Sequence, residues 1–301
     1  MIVAVGHASL DYVYKIDAFS AIPTKLRAIE HVVSGGGMAA NASASIARLG
    51  GTVEIWGRVG EDRIGEIVLQ ELQADGVGTN FLRPFAGCHS PTAAVIVDRN
   101  GDRLVVSEDD RELPLAADWL PLDRIGACRV VLSDLTWLEG TLAAFAKARS
   151  DGVPTLLDID LGSASLVPMV IELTDYAIFS APAFERCIEG RNDAMRLEQV
   201  LASGVRHAGV TRGARGYFGM NNSGVIVRQD VFQVDVVDTT GAGDAFHGGF
   251  AWALSEGYND VESARLASAV AALSCRKLGA RAGLPAKAEL EAFLVSSRVN
   301  D

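Results

Sequence analysis

The chain is poor in the residues that build most metal, redox and nucleotide-loop sites. Its 301 residues include four cysteines, Cys88, Cys128, Cys187 and Cys275, far apart and without a C-x-x-C pair. That argues against a disulfide frame or a thiolate zinc site, and leaves small buried hydrophobes in a reducing compartment. The five histidines, at 7, 31, 89, 207 and 247, have no H-x-x-x-H spacing, so no transition-metal site is expected. No Gly-Lys dipeptide occurs, which removes the G-x-x-x-x-G-K-[ST] loop. G-x-G-x-x-G and G-x-S-x-G are missing too, and with them the dinucleotide fingerprint and the nucleophile elbow. Positive charge is scarce: 27 Lys and Arg against 38 Asp and Glu leave a net charge of −11. Nucleic acid and anionic membranes are therefore poor partners, although a local pocket can still take a small anion. Residues 1–6 (MIVAVG) are too short for a span, lack a basic flank, and read as a first strand, so the expected location is cytoplasmic.

What is present is an ordinary globular composition, 49% hydrophobic and 22% charged, in a chain long enough for one large α/β domain or two small ones. From about residue 128 strands alternate with helices: strands at 130–132, 155–158, 176–179 and 207–210, helices at 138–149, 166–173, 182–188 and 194–202. Together with strands at 2–5 and 53–56 and helices at 38–49 and 64–74, that rhythm predicts right-handed crossovers and a mostly parallel sheet covered on both faces. A β-meander is expected at 217–220 and 225–227, and closing helices from 245, over 261–277 and over 287–295. Residues 17–34 alternate polar and apolar and suit exposed strands. Residues 81–83, 92–97 and 104–106, with the turn Arg99-Asn-Gly-Asp102, read as further strands outside the main core. The expected division is a large domain of 1–10, 35–80 and 111–301, with a small β lid of 11–34 and 81–110.

Two stretches carry chemistry. The first is Val234-Asp-Val-Val-Asp238-Thr239-Thr240-Gly241-Ala242-Gly243-Asp244-Ala245-Phe246. Val234, Val236 and Val237 read as a buried strand end. A Gly/Ala turn then enters an apolar helix, with Phe246, Phe250 and Leu254 on one face. Such a turn exposes backbone N–H groups at the positive end of a helix dipole, a ready anion site, with Asp244 in the same first turn. A carboxylate beside an anion cradle suits phosphoryl transfer, and at a helix N-terminus it is expected to have a lowered pKa. The second stretch is Ser34-Gly35-Gly36-Gly37-Met-Ala-Ala-Asn41, where glycines allow close backbone approach and Asn41 offers both donor and acceptor to a hydroxyl.

Gly35-Gly36…Asn41 and Asp238-Thr-Thr-Gly-Ala-Gly-Asp244-Ala-Phe resemble the two signatures of the ribokinase-like, or PfkB, carbohydrate kinases, and element order fits over nearly the whole chain. The resemblance implies a doubly wound, mostly parallel α/β sheet with helices on both faces, plus a small β lid over a sugar. It implies ATP and Mg²⁺, leaves open a monovalent cation such as K⁺, and implies a homodimer through the lid. By the same resemblance Asp244 is the base for the sugar hydroxyl, and the Gly241, Ala242 and Gly243 amides form the γ-phosphate hole. Asp11, Gly35, Gly36 and Asn41 lie on the sugar. Thr211, Gly213 and Gly216, with Ser274, lie at the nucleotide, and Asp238, Thr240, Gly279 and Gly283 belong to the cation site.

One departure stands out. The family's Asn-x-x-Glu falls on Phe179-Ser180-Ala181-Pro182-Ala183, so Ser180 and Ala183 replace the pair, and Asp158 or Asp160 become candidates for Mg²⁺. The sequence is similar to the ketohexokinase-like and sulfofructose kinase-like branch through the Val234–His247 run, Arg281-Ala-Gly-Leu-Pro285 and the lid residue Lys25. Ser107 and Thr136 stand where a sulfosugar pocket would supply Asn and Arg, which favours a neutral ketose or other furanose-like sugar; Arg27 and Arg103 could reach the same pocket. Sulfofructose kinase, nucleoside kinase and a catalytically silent sugar or nucleotide sensor are the alternatives.

Overall fold

A computed structural model of the protein describes residues 1–22, 24–108 and 112–298. In chain order its first half contains β1 (Ile2–Gly6), β2 (Ser9–Lys15), β3 (Glu30–Gly36), α1 (Met38–Arg48), β4 (Val53–Gly60), α2 (Arg63–Ala74), β5 (Gly78–Phe85), β6 (Thr92–Val97), β7 (Arg103–Glu108), β8 (Val130–Ser133) and α3 (Leu138–Asp151). The second half adds β9 (Thr155–Ile159), α4 (Val167–Val170), β10 (Tyr176–Ser180), α5 (Ala181–Cys187), α6 (Asp193–Ala202), β11 (His207–Thr211), β12 (Tyr217–Asn221), β13 (Ile226–Gln229), α7 (Ala242–Ser255), α8 (Asp260–Ser274) and α9 (Lys287–Arg298). Nine strands form one sheet in the order β13-β12-β11-β10-β9-β8-β1-β4-β5, parallel except at β11-β12-β13. Four form a second, smaller sheet, β3-β2-β6-β7.

Side-chain alternation explains the layers. In β1, Ile2 and Ala4 join one core with α1, α7 and α8, while Val3 and Val5 join the opposite core with α3, α5 and α6. A central parallel strand needs apolar residues on both sides, which is why IVAV reads as a continuous run. The small sheet has its own core of Val13, Ala93, Val95 and Val97, and Leu278 from the loop after α8 inserts into it. That loop therefore bridges the two sheets.

Several expected boundaries move. Residues 81–85 belong to the large sheet: Phe81 pairs with Trp56 in register and packs edge-on against it at 5.9 Å. The small sheet extends instead to Ser9 and through Gly36. Among the described residues, 17–22 and 24–29 contain no strand and lie largely exposed, and Glu30–Gly36 is the part that pairs. The boundary drawn between 110 and 111 lies outside the described residues. The helix expected over 166–173 is a single α turn, α4, flanked by 3₁₀ turns. The valine run at 234–237 joins neither sheet. Its Val237 and Asp238 amides donate to Cys275 O (2.8 and 3.2 Å), and Val236 is 51% exposed. β propensity gave no hint that the loop after α8 would take those hydrogen bonds. No disulfide forms among the described residues; Cys128 and Cys275 are buried as expected, whereas Cys88 and Cys187 are only half-buried. None of the described helices is long and apolar enough to cross a membrane.

Candidate active site

α7 starts three residues earlier than expected, because Gly241 at its N-cap adopts φ 73° and turns the chain into the helix. A Cβ there would press on Ala280 Cβ at 2.6 Å, so glycine is required twice over. No side chain caps this helix. Ala242 N donates to Thr239 O at 3.2 Å, while Gly243 and Asp244 lie in the first turn, where a helix has no carbonyl one turn back to offer. A Cβ on Gly243 would meet nothing within 4 Å, so the space above these amides is open, as an anion cradle requires.

Asp244 sits in the first turn with its Oδ2 accepting Asn41 Nδ2 at 2.7 Å, across 203 residues of sequence. It keeps some accessible surface, yet protein surrounds it closely. Burial first, and then the charge of Asp158, push its pKa from 3.8 up to about 7; the Asn41 hydrogen bond and His247 pull the other way. The lowered pKa expected from the helix dipole is thus overturned by desolvation.

Around it gather the residues expected to hold the sugar. Asp11 on β2 is buried, accepts from Ser9 Oγ at 2.9 Å, and lies over Gly36, whose Cβ would collide with the carboxylate. Its pKa is raised by burial, against the pull of Ser9, His7 and Arg281. Gly35, on the same strand, leaves room for the Arg281 guanidinium and donates its amide to Glu71. Asn41 is buried in α1, whose N-terminus is held by Asp134: Oδ2 of that carboxylate accepts the His7 and Ala39 amides, each at 2.9 Å.

Other expected residues fall elsewhere. Thr136 is exposed and bonds back to Asp134 Oδ1 through N (3.0 Å) and Oγ1 (2.7 Å), supporting that turn. Ser107 is exposed on β7 opposite Ala93, and Lys25 is exposed in the segment between β2 and β3. Arg103 reaches Thr239 rather than a sugar pocket, donating to its O (3.2 Å) and Oγ1 (2.9 Å), while Thr239 Oγ1 donates to Gly101 O at 3.2 Å. The β6-β7 hairpin thereby touches the anion loop.

Beside the Gly241–Gly243 turn, Asp238 is buried and clamps the loop: Oδ1 accepts Thr240 N and Oδ2 accepts Gly279 N, both at 2.8 Å. Thr240 Oγ1 is buried with no hydrogen-bond partner. Ser274 Oγ donates within α8 to Ala271 O at 2.8 Å, and a Cβ on Gly283 would collide with Ser274 O. Thr211 ends β11 with Oγ1 donating to Phe179 O at 3.3 Å. Gly213 borders open space, whereas Gly216 (φ 75°) is needed because a side chain would strike Gln229 O. Ser180 caps α5 by accepting Ala183 N at 3.3 Å, so the expected departure from Asn-x-x-Glu leaves a structural cap there. No three His, Cys, Asp or Glu side chains converge as metal ligands among the described residues. Asp158 is buried with Oδ2 lacking a hydrogen-bond partner, 3.1 Å from His247 Nδ1; burial and the charges of Asp160 and Asp134 raise its pKa strongly. His247 packs inside, its Nδ1 2.8 Å from Gly243 O.

Arg281, which enters the sequence only through a resemblance and with no role of its own, is buried at this site, with Nε donating to Asn41 Oδ1 at 2.8 Å. No periodicity marks it, because it stands in a loop.

The family model for pfkB carbohydrate kinases matches residues 1–287. A ribokinase of Bacillus subtilis (strain 168) is 30% identical over 299 residues, covering 97% of this chain and 99% of that protein. A fructokinase of Vibrio alginolyticus is 29% identical over 287 residues, 86% of this chain and 91% of the other. A solved structure from Agrobacterium tumefaciens matches with a TM-score of 0.92 at 30% identity, over 99% of this chain and 97% of that one.

Proposed function

The chain belongs to the pfkB family of carbohydrate kinases, and from that premise we propose that it transfers the γ-phosphoryl group of ATP to a hydroxyl of a neutral ketose or other furanose-like sugar. The observation that carries this reading is the 2.7 Å bond from Asn41 to Asp244, which joins the sugar-side and phosphate-side stretches at one carboxylate. Asp244 accepts the proton of the attacking hydroxyl, and a pKa of about 7 leaves it basic enough to do so near neutral pH. Asp11 and the second Asn41 N–H hold neighbouring hydroxyls over the bare backbone of Gly36. The Gly241, Ala242 and Gly243 amides receive the charge that develops on the transferring group.

Mg²⁺ with ATP neutralises phosphate charge when bound. The acids available to it are Asp158 and Asp160 at the end of β9, and the orphaned Asp158 Oδ2 supports the former. Thr240 Oγ1, buried without a partner where Asp238 holds the Thr240 and Gly279 amides, suits a monovalent cation such as K⁺. Gly213, bordered by open space at the end of β11, suits the nucleotide. The sugar's neutrality rests on charge: burial lowers the Arg281 pKa, the charges of Asp75, Glu71 and Asp11 oppose that shift, and a guanidinium already ringed by these carboxylates has little positive charge to spare for a sulfonate. The lid pairs with that of a second copy.

The test is ADP release and thermal shift with a panel led by ribose and fructose and including sulfofructose and nucleosides, with and without a non-hydrolysable ATP. A substrate stabilises as RT ln(1 + [L]/Kd) and should stand out in both readouts. Turnover of nucleosides alone overturns the sugar assignment. Binding without any ADP release would identify a sensor on this fold.

A further inference from the structure

Arg281 is 6% exposed, and its guanidinium makes two fixed contacts: Nε donates to Asn41 Oδ1 at 2.8 Å and Nη2 donates to Gly36 O at 3.0 Å. Nη1 lies 4.0 Å from Asp75 Oδ2 and has no hydrogen-bond partner of its own. Glu71, Asp11 and Asp244 complete the surrounding negative charge. The loop bearing it is pinned just before Arg281, by Leu278 in the core of the small sheet and by Gly279 N on Asp238.

Burying a guanidinium is costly, and a well-packed apolar residue would usually serve stability as well. The geometry suggests what the charge does. A primary amide can present either its oxygen or its nitrogen to a neighbour, and an oxygen turned toward Asp244 would face a carboxylate. Arg281 is a donor only, so it holds the Asn41 oxygen on its own side and leaves Nδ2 for Asp244. The same guanidinium grips the last carbonyl of β3, the strand that enters the lid sheet.

We infer that Arg281 is a positioning residue for the base: acting through Asn41, it fixes the orientation of the Asp244 carboxylate and ties the end of lid strand β3 to it. One oxygen of Asp244 is then occupied by Asn41 and the other is left for the sugar hydroxyl. The kinetic consequence rests on the kinase reading; the chain of hydrogen bonds does not.

The experiment makes Arg281→Lys and Arg281→Met, each alone and in an Asn41→Ala background. Lysine keeps the charge but cannot reproduce the planar fork that reaches Asn41 Oδ1 and Gly36 O together, so it should not rescue. Arg281→Lys is expected to lower kcat about 30-fold with the KM for ATP unchanged, and to lower it less than about 2-fold further once Asn41 is already alanine. Equal losses in both backgrounds would overturn action through Asn41. A second readout needs no turnover: the Asn41 side-chain amide resonances, assigned by their loss in Asn41→Ala, should move and exchange faster with water in Arg281→Lys. Unchanged resonances overturn the proposal even if no sugar proves to be a substrate. If neither Arg281 variant folds, Asn41→Asp keeps an acceptor for Arg281 while turning an oxygen on Asp244. That variant should fold and lose at least about 100-fold in kcat, and unchanged kcat would refute the inference.

Discussion

Asp244 stands between two opposing influences, the positive end of α7, which favours its charge, and the surrounding protein, which disfavours it. Burial wins, and its pKa rises from 3.8 to about 7. Two consequences follow with definite signs. In the proposed role of base it works only when ionised, so kcat/KM should fall as pH drops through about 7 and level off above it, measured with saturating ATP. As a folded-state acid of raised pKa it binds its proton more tightly in the native than in the unfolded chain. Its ionisation therefore costs nothing below pH 3.8, destabilises progressively between 3.8 and about 7, and has its full effect above. The full effect is roughly 4 kcal/mol at most, less in proportion to the solvent that reaches the carboxylate. Asp244→Asn should abolish at least about 10³ of kcat while leaving sugar affinity nearly intact. It should also raise Tm by several degrees at pH 8 and leave it unchanged near pH 3.5. A lower Tm for the variant at pH 8 would mean that hydrogen bonding to Asn41, not burial, dominates its energetics.

At the scale of elements, α7 is threaded between α1 and α8 through two glycines. A Cβ on Gly248 would sit 2.5 Å from Ala42 O and 2.7 Å from Ser45 Cβ, whereas one on Gly249 would meet Ala267 Cα at 3.1 Å and Val270 Cβ at 3.2 Å. Alanine gains about 1 kcal/mol of helix propensity at either position, against about 1–3 kcal/mol for overpacking. Gly248→Ala should therefore destabilise by about 1–2 kcal/mol and Gly249→Ala by nearly nothing, read from denaturant midpoints. The β6-β7 hairpin offers a separate test, since Arg103 is its hold on Thr239. Arg103→Ala should raise the sugar KM about 3–10-fold with little change in Tm; an unchanged KM would show that the hairpin closes without it. The sequence makes α7 and its motif plain because a local steric need is written in Gly241, and it makes β1 plain because burial on both faces demands IVAV. It does not reveal that Phe81 pairs beside Trp56 or that Val236 stays outside both sheets, since a β-type residue carries no label for its partner. Arg281 stays hidden for a stronger reason: its contact with Asn41 spans 240 residues, and only the finished fold brings the two together.

For the whole molecule, the small sheet presents a surface that a soluble monomer would ordinarily protect. β7 pairs only with β6, leaving its other edge without a strand partner among the described residues. All six of its residues are exposed, including Leu104 at 52%, Val105 at 48% and Val106 at 61%. Successive residues of a strand point to opposite faces, so neither face of β7 is fully covered by the described residues. Charge guards only its ends, at Arg103 and Glu108, and an unguarded apolar edge invites pairing with another strand. The protein's net charge of −11 opposes random aggregation but leaves this apolar patch free to make a specific, closed contact. A second copy related by a two-fold axis would cover both patches at once. Wild-type protein should therefore sediment as a dimer at micromolar concentration and Val105→Asp as a monomer. Because β7 carries the hairpin that reaches Thr239, the monomer should also show a raised sugar KM at unchanged Tm. A wild-type chain that sediments as a monomer throughout this range would remove the dimer from the reading and leave β7 with some other cover.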